Sequence, residues 1–234
     1  MENFLSLRNI AEAGYTADIP LIERALADPD PLLRAAALGS IHRLGKLNSS
    51  RFLTALADKD PQVRRRAAEL ACRLQLSDHE RRQVLEGLST CLDQEDEVAE
   101  VAAFALGEIG SQTTDQDATD QEAAYQEIAE PGTVGLSPEI IAKLEHQARH
   151  HDNALCREQA VASLGALHSS PSTILDALND KATVRRRAVI ALAPFSGPET
   201  EAALRGALED RDWQVRQAAE DLLAEEAEDV EQQD

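Results

Sequence analysis

The residues able to do chemistry in this chain are few, and most of them are arginines. Arg65 and Arg66, and again Arg186 and Arg187, follow an Arg that belongs to a repeated pattern. A guanidinium offers a planar fork of donors that suits carboxylate or phosphate, so doubled arginines offer binding chemistry rather than bond-making. His146 and His150 lie four apart, with His151 beside them and Cys156 soon after. On a helix that spacing sets two imidazoles on one face, which makes them weak candidates for holding a metal. No third ligand is fixed by spacing, and a His near a helix end also has a plain role beside the carbonyl terminus. No metal site is therefore assigned. No Ser-His-Asp order, phosphate loop or paired-carboxylate arrangement stands out, so no catalytic residue is named and no cofactor is expected. Cys72, Cys91 and Cys156 form no CxxC or paired framework and read as small buried hydrophobes in a reducing compartment.

These residues ride on a repeat. An acidic loop, often Asp-Pro, leads into an aliphatic residue, then Arg, then Ala three positions after the Arg. It occurs at Asp30-Pro31-Leu32-Leu33-Arg34 with Ala37 and at Asp60-Pro61-Gln62-Val63-Arg64 with Ala67. It returns around Val98, Cys156-Arg157, Val184-Arg185 and Val215-Arg216. Small or apolar residues follow the aliphatic position at plus four, plus eight and plus eleven, as in Ala102, Leu106 and Ile109. That spacing makes one stripe on a helix. Asp caps the free amides at its start and Pro fits the first turn. A shorter apolar-periodic stretch precedes each such helix, for example Phe52 to Leu56 and Ile174 to Leu178. One unit is thus helix, turn, helix, and it buries its stripe only by stacking on its neighbours. The aliphatic positions step by 30, 35, 58, 28 and 31 residues, so an insertion interrupts the third step.

The Val-Arg-x-x-Ala pattern resembles HEAT repeats, specifically the short HEAT-like type of the phycobilisome-lyase group. The resemblance covers roughly residues 18–226. It implies an all-α fold: a right-handed α-solenoid of about six HEAT-like helical hairpins with an N-terminal cap helix, also described as armadillo-like. It further implies that the second helix of each hairpin lines a concave face. Arg65, Arg66, Arg186 and Arg187, at plus two and plus three, then lie there, joined by Arg43 and Arg73 at plus ten and by Phe104. These seven residues are the candidate partner-binding surface, suited to an acidic partner segment. Against that stands a solvated face balanced by neighbouring acids or by the chain's own insertion. The resemblance also implies that Trp213 packs against the preceding repeat. The recurring Arg itself (Arg34, Arg64, Arg157, Arg185, Arg216) is read as structural, tying loop carboxylates and carbonyls between repeats.

The formal net charge is −20, and two segments that lack Lys and Arg, residues 111–139 and 220–234, account for −15 of it. The expected organisation is one solenoid domain over residues 1–226, interrupted by an acidic insertion at 110–137, with a disordered acidic tail at 227–234. Residues 3–14 read as a lone helix ended by Gly14. Ser77-Asp78-His79-Glu80 reads as a capping box. In the helix from about Glu95 to Ile109, Val101 and Phe104 lie away from the main stripe. The insertion carries its own capping box, Thr119 to Glu122, before an amphipathic stretch that is expected to fold back over Phe104 and Val101. A floppy acidic loop is the alternative.

The charge argues against nucleic acid and anionic membrane, because phosphate is repelled. No run approaches the roughly 20 apolar residues that span a bilayer, and no signal peptide is read at the N-terminus. A cytoplasmic monomer is expected. Function reads as a non-enzymatic scaffold or adaptor that binds another protein. The alternatives are an enzymatic or accessory role like that of the bilin lyases, or a nucleic-acid-processing role found elsewhere among HEAT-like proteins. Deoxyhypusine hydroxylases share the repeat but bind iron through several His-Glu pairs, and this chain has one such pair, His79-Glu80.

Overall fold

Asp and Asn at loop ends start several of the helices. In the computed structural model, which describes residues 5–112 and 136–231, Asp18, Asp30, Asn48, Asp60 and Asn153 each accept a hydrogen bond from a backbone N–H of the first turn. Among the described residues there are helices and no strands. The chain divides into two compact units, residues 1–109 and 110–234. A stacked repeat contacts only its neighbours, so a long insertion between hairpins is where such a chain divides.

The first unit opens with α1 (Leu7–Thr16), then three hairpins: α2 (Ile19–Leu26) with α3 (Pro31–Arg43), α4 (Ser49–Leu56) with α5 (Pro61–Ala71), and α6 (Asp78–Ser89) with α7 (Asp96–Gly110). The α1 helix packs on α3, and α3 on α5. Its end differs from the sequence expectation. The helix runs through Gly14 and stops at Ala17, which takes the left-handed conformation at φ 58°. Gly14 serves close approach instead: a Cβ there would lie 3.1 Å from the Ser40 Cα. The Ser40 hydroxyl crosses the same contact and donates to the Ile10 carbonyl at 2.7 Å. The predicted capping box forms at Ser77 and Glu80.

The second unit holds α8 (Pro138–His150) with α9 (Ala154–Ala166), α10 (Pro171–Asp176) with α11 (Ala182–Ala191), and α12 (Pro198–Ala207) with α13 (Trp213–Glu231). A single 3-10 turn, Ala177–Asn179, extends α10. The α13 helix continues to Glu231. Glu and Ala, which dominate residues 223–228, are good helix formers and extend the last turn readily.

The predicted stripe is the core. Ala37, Ile41, Val63, Ala67, Val98, Ala102, Leu106, Cys156, Ala160, Leu164, Val184, Ala188, Leu192, Val215 and Ala219 are all buried. Ile22, Phe52, Leu88, Leu144, Ile174 and Leu204 meet them from the first helices. Alanine on one side and branched aliphatics on the other let thin helices approach closely, which is why so few aromatics suffice. No described helix is long and apolar enough to cross a membrane.

Candidate functional site

The recurring arginines form a ladder. Arg34, at the start of α3, donates two hydrogen bonds to the Asp58 carboxylate of the next hairpin, at 2.9 and 2.7 Å. Its other nitrogen reaches back to the carbonyls of Asp28 and Pro29. Arg64 then takes the Asp58 carbonyl at 2.7 Å and pairs forward with Gln94 and Glu95. In the second unit Arg157 forks onto Asp180 at 2.6 and 2.7 Å. Arg185 takes the Asp180 carbonyl and forks onto Asp210. Arg216 takes the Asp210 carbonyl. Each loop Asp thus accepts on its carboxylate from one repeat and on its carbonyl from the next. The hydrogen bond from Arg157 holds the Asp180 carboxyl below its usual range, and that from Arg185 does the same for Asp210. These buried forks occupy the side chains.

The arginines at plus three and plus ten behave differently in the first unit. Arg43 stacks on the Tyr15 ring, 4.3 Å from its centroid. Arg66 lies over Gly39, where a Cβ would sit 2.9 Å from its terminal nitrogen. It also donates to Glu69 at 2.9 Å, and Arg65 approaches the same carboxylate at 3.4 Å. His42 lies among them, and its pKa is pushed down by burial first and then by the charges of Arg73, Arg66 and Arg43. The charges of three arginines thus bear on one imidazole in a chain that is strongly acidic overall.

Beside this cluster opens a groove of about 700 Å³, lined by His42, Arg43, Lys46, Arg51, Arg73 and the carboxylates Glu23 and Glu80. Glu23 is spoken for by Arg51. Glu80 accepts from both the hydroxyl and the N–H of Ser77 and from the Ser49 hydroxyl, which holds it down to about 2. Among the described residues Arg43, Lys46 and Arg73 have no ion-pair partner. Lys46 and Arg51 were missed by the sequence reading, because Lys46 lies in the turn after Gly45 and Arg51 in the first turn of α4, both off the second-helix stripe that the periodicity follows.

The remaining candidates separate. Arg187 turns toward Glu158 at 3.4 Å and is half-buried. Arg186 faces an open groove with Trp213 instead. Trp213 is 64% exposed, so it is not packed away against the preceding repeat as the resemblance implied. Phe104 is 48% exposed among the described residues. The helix expected over residues 119–130, and with it the fold-back over Phe104, lies outside the described residues. His146 and His150 stand on one exposed face with ring centroids 4.9 Å apart. Among the described residues no third ligand joins them. Burial pushes the Cys72 and Cys91 thiols up, which keeps them protonated and poor as nucleophiles.

The fold has clear likenesses among solved structures. YibA of Escherichia coli matches at TM-score 0.62 and 15% identity over 94% of this chain and 74% of its own. An engineered protein matches at TM-score 0.58 and 18% identity over 94% and 98%. A designed armadillo repeat protein, solved in complex with the peptide (KR)4, matches at TM-score 0.53 and 17% identity over 94% and 99%. At these identities the likeness establishes the helical-repeat, α-solenoid fold. No protein-family model matches the sequence. No curated protein matches it.

Proposed function

We propose that this chain is a non-enzymatic interaction scaffold. A partner protein's acidic segment binds along the exposed faces of the second helices, the concave side of a HEAT-like solenoid. The observation that carries this reading is the groove that Arg43, Lys46 and Arg73 line together beside His42, none of the three cations having an ion-pair partner among the described residues. Folding does not need cations gathered without carboxylate partners, and their mutual repulsion costs stability. A carboxylate-rich segment relieves that repulsion, and Arg makes forked contacts to it. The designed armadillo neighbour, which holds a peptide in its structure, supports a peptide as the ligand. The basic charge of that peptide does not transfer, since the cluster here is itself basic. The Val-Arg-x-x-Ala spacing supports the short HEAT-like subtype.

The test is fluorescence anisotropy of a labelled octa-glutamate peptide titrated with the full chain. Binding is expected at low salt and falls steeply as salt rises. Arg43→Glu with Arg73→Glu should abolish it while circular dichroism stays unchanged. Equal binding by that variant, or none by the wild type, sinks the reading.

A further inference from the structure

The second unit carries another surface that the arginine cluster does not explain. A groove of about 300 Å³ runs between α11 and α13, lined by Arg186, Ile190, Trp213, Gln214, Gln217 and Asp221. We infer that this groove docks an extended peptide segment that presents a carboxylate and, two residues away, a bulky apolar side chain.

Three observations carry the inference. First, the chain's one tryptophan is 64% exposed here, beside Ile190 at 43%. Two large apolar side chains held together in water, with polar residues around them, are the mark of an interaction site. Trp and Arg are also the anchors that dominate protein interfaces.

Second, the charge is selective. Of the three consecutive arginines, Arg185 is committed to Asp210 and Arg187 to Glu158, while Arg186 has no ion-pair partner among the described residues. The carboxylate in the groove, Asp221, accepts from the Gln217 amide at 2.8 Å. Asp221 keeps its charge in that bond to a neutral amide, but it does not pair with Arg186, whose guanidinium is left to meet a carboxylate from outside the chain. One exposed guanidinium beside an indole matches a single side-chain carboxylate flanked by apolar surface.

Third, the dimensions suit an extended chain. Trp213 to Leu222 spans roughly 14 Å of helix, the length of about four residues of extended backbone. Alternate side chains of such a segment face the same way. A carboxylate on Arg186 therefore places the residue two positions on over Trp213 and Ile190. The Gln214 amide has no partner among the described residues and offers a donor and an acceptor to the segment's backbone.

This site lies wholly in the second unit and does not rest on the first unit's arginines. Trp213, as the sole tryptophan, reports on it directly. The full chain is titrated with an eight-residue peptide alternating Glu and Leu, and separately with one alternating Lys and Leu, while tryptophan emission is recorded. The Glu/Leu peptide is expected to give a saturable blue shift and the Lys/Leu peptide none. Arg186→Glu should weaken the Glu/Leu affinity at least about tenfold, and so should Ile190→Ser. Both side chains are exposed, so melting should be unchanged. Arg43→Glu should leave the shift as it is. Three results would overturn the assignment: no emission change at millimolar Glu/Leu peptide, an equal shift with Lys/Leu, or affinity that follows Arg43 rather than Arg186.

Discussion

At the residue scale, the same side chain has two fates, and position decides between them. Arg185 and Arg186 are neighbours in sequence. The first is buried in a fork on Asp210, and the second faces an open groove. A buried pair is costly to break because removing one partner strands the other charge. Arg185→Met should therefore cost about 3 kcal/mol. Arg216 ends the ladder and, within the described contacts, holds only the Asp210 carbonyl of its own loop. Arg216→Met should cost about 1 kcal/mol, the worth of one hydrogen bond. Urea denaturation of the two variants checks the ranking; equal losses would mean that the forward fork to the next loop contributes nothing.

At the element scale, the stack depends on how closely second helices approach. A Cβ on Gly165, in α9, would meet Ala191 of α11 at 2.7 Å from its Cβ and 2.9 Å from its carbonyl oxygen. Backbone cannot step aside as a flexible side chain can. Gly165→Ala should destabilise the second unit by about 1–3 kcal/mol through overpacking. Gly206, near the end of α12, has open space where a Cβ would go. Gly206→Ala should instead stabilise by about 0.5 kcal/mol, since only the helix propensity changes. Thermal melts of the pair give opposite signs if the close approach of α9 and α11 is real. The periodicity that predicts both helices does not distinguish these two glycines, because sequence spacing carries no distance to the neighbouring hairpin.

At the scale of the whole molecule, the loop aspartates link stability to pH. Asp180 and Asp210 have folded-state pKa values below their unfolded ones, because Arg157 and Arg185 hydrogen-bond their charged forms. A depressed carboxyl contributes stability that is fully present above its unfolded value, near about 4, and is lost as pH falls through the folded value. Melting temperature should hold steady from neutral pH to about pH 5 and drop most steeply below about pH 4. Asp180→Asn should lower it at neutral pH and flatten the acid limb, and an unchanged acid limb would remove Asp180 from the account. The helical repeat was legible from residue spacing, because a stripe at plus four, plus eight and plus eleven after Asp-Pro leaves one way to bury apolar surface. Val63, Ala67, Val184 and Ala188 are buried as that stripe requires, and the ladder arginines fall where the repeat puts them. Which of the described cations go unpaired was decided by the neighbouring hairpins. Tertiary packing turned Arg187 to Glu158, gathered Lys46 with Arg43 and Arg73, and left Trp213 in an open groove. Helical period fixes a residue's angle on its own helix, whereas pairing and exposure depend on what the next hairpin brings within a few ångströms.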